Sequence, residues 1–243
     1  MDEYHMQYKC LAPLVMFYMT IKLITILVIY KIVAIGSIHT TAATIIIPLW
    51  FLTGDVIAEV YGYDISKQVI WCALIFQFIF ACICFSLIKL PSPTNWAFQG
   101  AYDHVLGNLP WVVTASFIAI LCGAFVNAYT VAKWKVLLKG RLFWLRSLGA
   151  SIIGEAVFVI ISLSMEYIGV IPWQMLLQLI LVSFAMKLVF NPILVIPSSI
   201  LAAIIKKIEK VDVYDYDLKF NPFKIKFAKI SNDPIINLTE GRE

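Results

Sequence analysis

Residues 48–63 read Pro48-Leu-Trp-Phe-Leu-Thr-Gly-Asp55-Val-Ile-Ala-Glu59-Val-Tyr61-Gly62-Tyr63. Together with the apolar residues before it, this stretch completes a run of about 20 residues, the length an α-helix needs to cross a bilayer. Yet it carries two acids, Asp55 and Glu59, four apart and so on one helix face. A charged side chain at the centre of a membrane helix costs about 2.5–3.5 kcal/mol on insertion scales, so it faces a partner, a cavity or a substrate path. Lys22, Lys31, Glu155 and Lys187 repeat the pattern within or at the edge of other apolar runs. Charges of mixed sign in such places imply an internal polar site rather than a passive anchor. Transport is the function they suggest.

Outward from that stretch, composition agrees. The chain has 243 residues, 61% hydrophobic and 14% charged, with a net charge of +4. A soluble domain would carry about 25% charged residues, so the soluble-globular class is set aside. Apolar runs place helices at roughly 10–35, 41–60, 69–90, 110–132, 147–168 and 174–205. The fold class predicted is an all-α polytopic membrane protein with six transmembrane helices. Pro48 is predicted to bend the second, and Pro192 and Pro197 to kink the sixth. Residues 1–9 hold Asp2 and Glu3 instead of a basic leader, so the first run reads as a retained span, not a cleaved signal.

Orientation follows from lysine and arginine in the short connections. Lys133, Lys135, Lys139, Arg141 and Arg146 crowd one connection with no acid, and Lys206-Lys207 follow the sixth run. The connections at 36–40, 91–109 and 166–173 hold neither residue type. Both termini are therefore expected in the cytoplasm (N-in/C-in), with 1–205 a transport domain and 206–243 a cytoplasmic tail. Trp96, Trp111 and Trp173 would mark the outer interface, Trp134 and Trp144 the inner. The sequon at Asn237-Leu-Thr239 falls in that tail, away from the glycosylation enzyme.

Counting from each outer turn at 1.5 Å per residue puts Lys22 and Asp55 at one level, roughly 25 Å down. Glu155 and Lys187 fall at a similar level in the third hairpin, and Asn127 and Gln77 in the middle one. Ser151, Glu155, Phe158 and Ser162 form one helical stripe, and Ser183, Lys187 and Asn191 another. The candidate substrate-binding residues are thus Asp55, Glu59, Gln77, Asn127, Ser151, Glu155, Phe158, Lys187 and Asn191. Lys22 and Lys31 are candidates for gating or ion pairing. Each has a plainer reading beside it. Lys22 can simply neutralise Asp55, Lys187 can serve Glu155 as counter-ion, and Lys31 can snorkel to the headgroups. Asp55 and Glu59 can be carboxylates near water, and Gln77 and Asn127 can be helix–helix glue.

No Walker loop, HExxH, GxSxG or EF-hand pattern occurs, so an enzyme is not expected. His5, His39 and His104 lie outside the apolar runs, and Cys82-x-Cys84 points its thiols to different helix faces. No metal and no cofactor are expected. Cys10, Cys72, Cys82, Cys84 and Cys122 read as small lipid- or core-facing residues.

Several segments resemble the queuosine-precursor transporter (VUT) family. Residues 48–63 are similar to its run of proline, an apolar stretch, aspartate and Glu-Val-Tyr-Gly. Tyr30-Lys31 resembles its lysine near the end of the first span, and Arg146-Ser-Leu-Gly149-Ala-Ser151-Ile-Ile-Gly154-Glu155 its arginine-led fifth span. Lys187 with Asn191-Pro192, and Val211-Asp212-Val-Tyr214-Asp215 with Phe220-Asn221-Pro222-Phe223, look like its sixth span and tail. Many members have glutamine where Glu155 stands and an aspartate where this chain has Phe158. The acid is displaced by about one turn and keeps its face.

The resemblance implies an importer in the bacterial inner membrane for 7-cyano-7-deazaguanine or a related 7-deazaguanine base, serving tRNA modification. A carboxylate can accept both N–H donors of the base's amidine-like edge, while Asn, Gln or Lys donates to its carbonyl. The expected partners are that small molecule and the lipid bilayer, with no nucleic acid. A homo-oligomer and an energising ATPase partner stay open. Two alternatives stand beside this reading. One is a substrate-binding subunit of an energy-coupling-factor-type vitamin transporter; the other is a structural membrane protein whose charges only pair helices.

Overall fold

The computed structural model describes residues 8–35, 38–167, 171–215, 221 and 223. His5, the sequon at Asn237 and most of the tail after residue 215 lie outside the described residues. Among these described residues, six helices and one β-hairpin follow in order: α1 (Leu11–Leu27), β1 (Ile32–Ile35), β2 (Ile38–Thr41), α2 (Ala42–Ile88), α3 (Gln99–Leu106), α4 (Leu109–Leu137), α5 (Phe143–Tyr167) and α6 (Trp173–Glu209). Four helical stretches are long and apolar enough to cross a membrane: Ala42–Ile88, Gln99–Leu137, Phe143–Tyr167 and Trp173–Glu209. The chain is a multi-pass membrane protein.

The surface is strongly apolar, and charged side chains are buried within an otherwise apolar core. Met16, Phe17, Phe76, Ile83, Leu181 and Ile196 are exposed, whereas Lys22, Asp55, Glu59, Gln77, Arg146, Glu155 and Lys187 are buried. Lipid tails are as apolar as leucine, so close packing and hydrogen bonds between helices hold such a bundle together rather than the hydrophobic effect. The first part of α2 forms the axis. Most of its side chains from residue 43 to 62 are buried, and α2 meets α1, α4, α5 and α6.

One sequence expectation is corrected by the fold. The first predicted span, 10–35, ends as a helix at Leu27, because Ile32–Ile35 pairs with Ile38–Thr41 as an antiparallel hairpin. Its strands are rich in β-branched residues, which suit a pleated surface better than a helix. A bond from Ala42 N–H to the Lys31 carbonyl (2.8 Å) closes the ladder. The predicted second and third spans both lie in α2, whose helical geometry breaks between them at Gly62 (φ 84°, ψ 176°), with Pro48 inside the first part. Positive φ is a conformation glycine adopts without the Cβ penalty. Pro192 and Pro197 lie inside α6, as their positions in the sixth run implied.

Residues 211–215 fill the notch that Gly62 makes. Val213 N–H bonds the Val60 carbonyl (3.3 Å), and Tyr63 N–H donates to Asp215 Oδ2 (3.0 Å). Both backbone groups lose their helical partners at the break, so the tail supplies what the helix cannot. A Cβ on Gly62 would stand 2.9 Å from Val213. Just before residues 211–215, at the C-terminal end of α6, Glu209 accepts from the backbone N–H of Lys9 (3.2 Å) and Cys10, capping α1, and from Tyr61 Oη (3.1 Å). The start of α1 and the end of α6 therefore lie at one end of the bundle.

Between α4 and α5 the backbones touch. A Cβ on Gly154 would meet Asn127 Cβ at 2.7 Å and the Gly123 carbonyl at 2.9 Å. Small residues allow this approach, as at other membrane helix crossings. It brings Asn127 and the polar face of α5 against the axis helix.

Candidate functional site

One face of α5 carries Ser147, Ser151, Glu155, Phe158, Ser162 and Glu166, spaced by three or four residues and all buried. The polar line runs nearly the whole helix. Its middle was legible from the spacing, but Ser147 and Glu166 were not, since polar residues near a span's end read as interface.

Near the middle of the bundle, the wholly buried Asp55 carboxylate accepts hydrogen bonds from Asn127 Nδ2, from Ser147 Oγ and from Ser151 Oγ (3.2 Å). Three of the sequence candidates thus meet: Asp55, Asn127 and Ser151. The expected Lys22–Asp55 ion pair does not form among the described residues. Instead Lys22 Nζ lies 4.3 Å from the centre of the Trp50 ring. Trp50 and Asp55 are five residues apart, about 140° around the helix, so one helix cannot show both to the same neighbour.

One turn beyond Ser151, Glu155 Oε2 accepts from Asn191 Nδ2 (3.2 Å) on α6. Glu155 Oε1, Asn191 Oδ1 and Lys187 Nζ are buried with no hydrogen-bond partner among the described residues. Lys187 Nζ stands 5.2 Å from the Phe158 ring centre. Leaving a buried polar group unpaired costs about 1–3 kcal/mol, more when it is charged. A carboxylate oxygen, an amide oxygen and an ammonium so placed form an unpaired acceptor and donor set, of which Lys187 lines a cavity while Glu155 and Asn191 line neither that cavity nor the one beside Trp50.

The cavity that Lys187 lines is about 420 Å³, its mouth included, with Thr44, Phe158, Ser162, Glu166 and Ser183 among the other walls. Thr44 Oγ1 and Ser183 Oγ are bonded at 3.3 Å, while Glu166 Oε1 has no partner among the described residues. The cavity lies at the hairpin end, since Thr41 and Ile29 also line it. Glu166 is the acid that sequence reasoning passed over. A regular step of four from Ser162 is the signal that would have found it.

Three candidates are placed elsewhere. Gln77 is fully buried with both amide atoms unpaired among the described residues, and it lines neither cavity of the bundle. Lys31 is exposed beside the hairpin. Glu59 sits in an ionic knot at the other end of the bundle. Arg146 grips it bidentately (2.7 and 3.0 Å) and Lys206 binds it at 2.6 Å. Lys135 Nζ takes the Glu59 backbone carbonyl (2.6 Å) and the Val213 carbonyl (2.6 Å) and pairs with Asp212, which Lys206 reaches at 2.9 Å. Both oxygens of Glu59 are thus occupied. Beside the knot, burial pushes the Asp215 carboxyl above the usual aspartate range, with the Tyr63 N–H pulling the other way.

The family model described as "Putative vitamin uptake transporter" matches residues 41–202, well over half of the chain. The chain belongs to this family. The "Queuosine precursor transporter" of Escherichia coli (strain K12) is 23% identical over 149 residues, covering 61% of this chain and 65% of that relative's length. No solved structure matches. The matched region runs from the hairpin to α6 and contains every polar group of the α5 face.

Proposed function

We propose that the chain imports a queuosine precursor, 7-cyano-7-deazaguanine or a related 7-deazaguanine base, across a bacterial inner membrane for tRNA modification. The single observation that carries this reading is the unpaired set on α5 and α6: Glu155 Oε1, Lys187 Nζ and Asn191 Oδ1. A deazaguanine edge offers N–H donors beside a carbonyl. Glu155 Oε1 accepts a donor, Lys187 gives to the carbonyl, and Phe158 offers a ring face. Groups that pay for desolvation only when the guest fits also reject analogues that lack those donors. Asp55, Asn127 and Ser151 hold the α2–α4–α5 junction against this site.

In this reading α1, the two parts of α2, α4, α5 and α6 make six spans with both termini cytoplasmic, residues 1–205 forming the transport domain and 206–243 the tail. The knot of Glu59, Arg146, Lys135 and Lys206 then faces the cytoplasm, and the 420 Å³ cavity faces outward.

The test is a rescue. Cells unable to make the precursor receive a low concentration of it, and queuosine in tRNA is measured with and without this protein. Modification should depend on the protein and be lost with Glu155→Ala. Equal modification in both strains rejects the reading.

A further inference from the structure

A second, narrow cavity, about 320 Å³ only when the open space at its mouth is included, lies on the knot side of the bundle. Its walls include Tyr18, Trp50, Phe51, Ser66, Ala124 and Asn127. These come from α1, the part of α2 before the break, the first turns after it, and the later half of α4. The cavity near the hairpin is built instead from the start of α2, the first half of α6 and the end of α5. The two hollows thus stand in series along the bundle.

Three rings stand between them. Trp50 and Phe51 are 4.7 Å apart by their centres, and Phe158 is 5.7 Å from Trp50 and 5.8 Å from Phe51. Phe158 lines the hairpin-side hollow; Trp50 and Phe51 line the other. Rings at such spacings pack against one another as a single cluster. Each face of the cluster carries an ammonium, Lys22 over Trp50 and Lys187 over Phe158.

We propose that the knot-side hollow is a second binding site for the same flat heteroaromatic base, and that Trp50, Phe51 and Phe158 form the barrier between the two sites. Asn127 supplies the polar contact. Its Nδ2 is held by Asp55, which fixes the amide, and its Oδ1 is buried and unpaired among the described residues. An N–H of the base can donate to that oxygen. Tyr18 and Trp50 supply stacking faces, which any planar base can use. Rotation of the barrier rings opens the route from one site to the next without unmaking the Asp55 junction. The inference rests on the transport reading above.

Sidedness of labelling tests it. In a background without Cys10, Cys72, Cys82, Cys84 and Cys122, Ser162→Cys reports on the hairpin-side hollow and Ser66→Cys on the other. Vesicles of each orientation are treated with a membrane-impermeant maleimide, with and without 7-cyano-7-deazaguanine. Each cysteine should react from one face only, the two from opposite faces, and the base should slow both. Adding Phe158→Leu, or Trp50→Ala as a second variant, should abolish the sidedness. Reaction of both cysteines from the same face, failure of Ser66→Cys to react from either, or sidedness unchanged by both ring variants would overturn the proposal. Protection of Ser162→Cys alone overturns the second site and leaves the transport reading standing; protection of neither overturns both.

Discussion

Glu59 and Glu155 are the same acid in similar apolar surroundings, and their neighbours give them opposite tasks. Glu59 is enclosed by Arg146 and Lys206, whereas Glu155 keeps an oxygen unpaired. Removing one partner of a buried ion pair leaves the other uncompensated, at a cost of about 3–5 kcal/mol. Glu59→Ala should therefore lower the unfolding midpoint of the purified protein sharply, and Glu59→Gln with Arg146→Met should recover much of it. A midpoint unmoved by Glu59→Ala contradicts the knot. Glu155→Gln should do the reverse. It keeps the bond from Asn191 and loses an incompletely paired charge, so the fold should survive while binding of the base fails. Melting and equilibrium binding on one preparation separate the two effects. Sequence alone ranked these acids together because it sees apolar neighbours along the chain. Arg146 and Lys206 approach from distant segments, and only the assembled bundle reveals which acid they claim.

At the scale of elements, the break in α2 decides how the tail is used. Gly62 holds φ at 84°, and the released Val60 carbonyl and Tyr63 N–H are taken by residues 213 and 215. Positive φ with ψ near 180° is essentially a glycine conformation and costs another residue about 1–3 kcal/mol, and a Cβ here would also press on Val213. Gly62→Ala should thus loosen the tail as well as strain the helix. Protease cleavage just after α6 reads this directly, and it should quicken relative to wild type; an unchanged rate would mean the tail docks independently of the notch. The crossing of α4 and α5 at Gly123 and Gly154 is equally exacting, because no space exists there for a methyl group. Helix content, Asp55 and Glu59 on one helix and the α5 stripe were legible as periodicity. The hairpin and the notch were not. Ile-Val-Ala-Ile is as apolar as any membrane span, and hydropathy does not distinguish a strand from a helix over so few residues.

For the whole molecule, the six-span arrangement makes a geometric demand. A straight helix of 47 residues would be about 70 Å long, more than twice the hydrocarbon thickness, so the turn at Gly62 divides α2 into two lengths that each suit a bilayer. The proposed six-span arrangement requires residues 42–61 and 63–88 to run in opposite senses. Because Glu209 caps α1, the first and last helices share an end with the basic knot. Trp96, Trp111, Trp173 and Trp144 are exposed, as residues at an interface must be, whereas the Trp134 ring packs against Gly149. At 17 residues α1 is shorter than the others, about 26 Å, and reaches across only if the hairpin that follows lies in the opposite interface. Inserting a reporter that is active only outside the cytoplasm decides the matter. Placed in the 91–98 connection it should be active, and placed after Lys139 or after Glu209 it should be silent. The positive-inside rule makes the same demand of Lys133, Lys135, Lys139 and Arg141. Activity after Lys139 would invert the molecule, put the ionic knot outside, and make the hairpin-side cavity a cytoplasmic one.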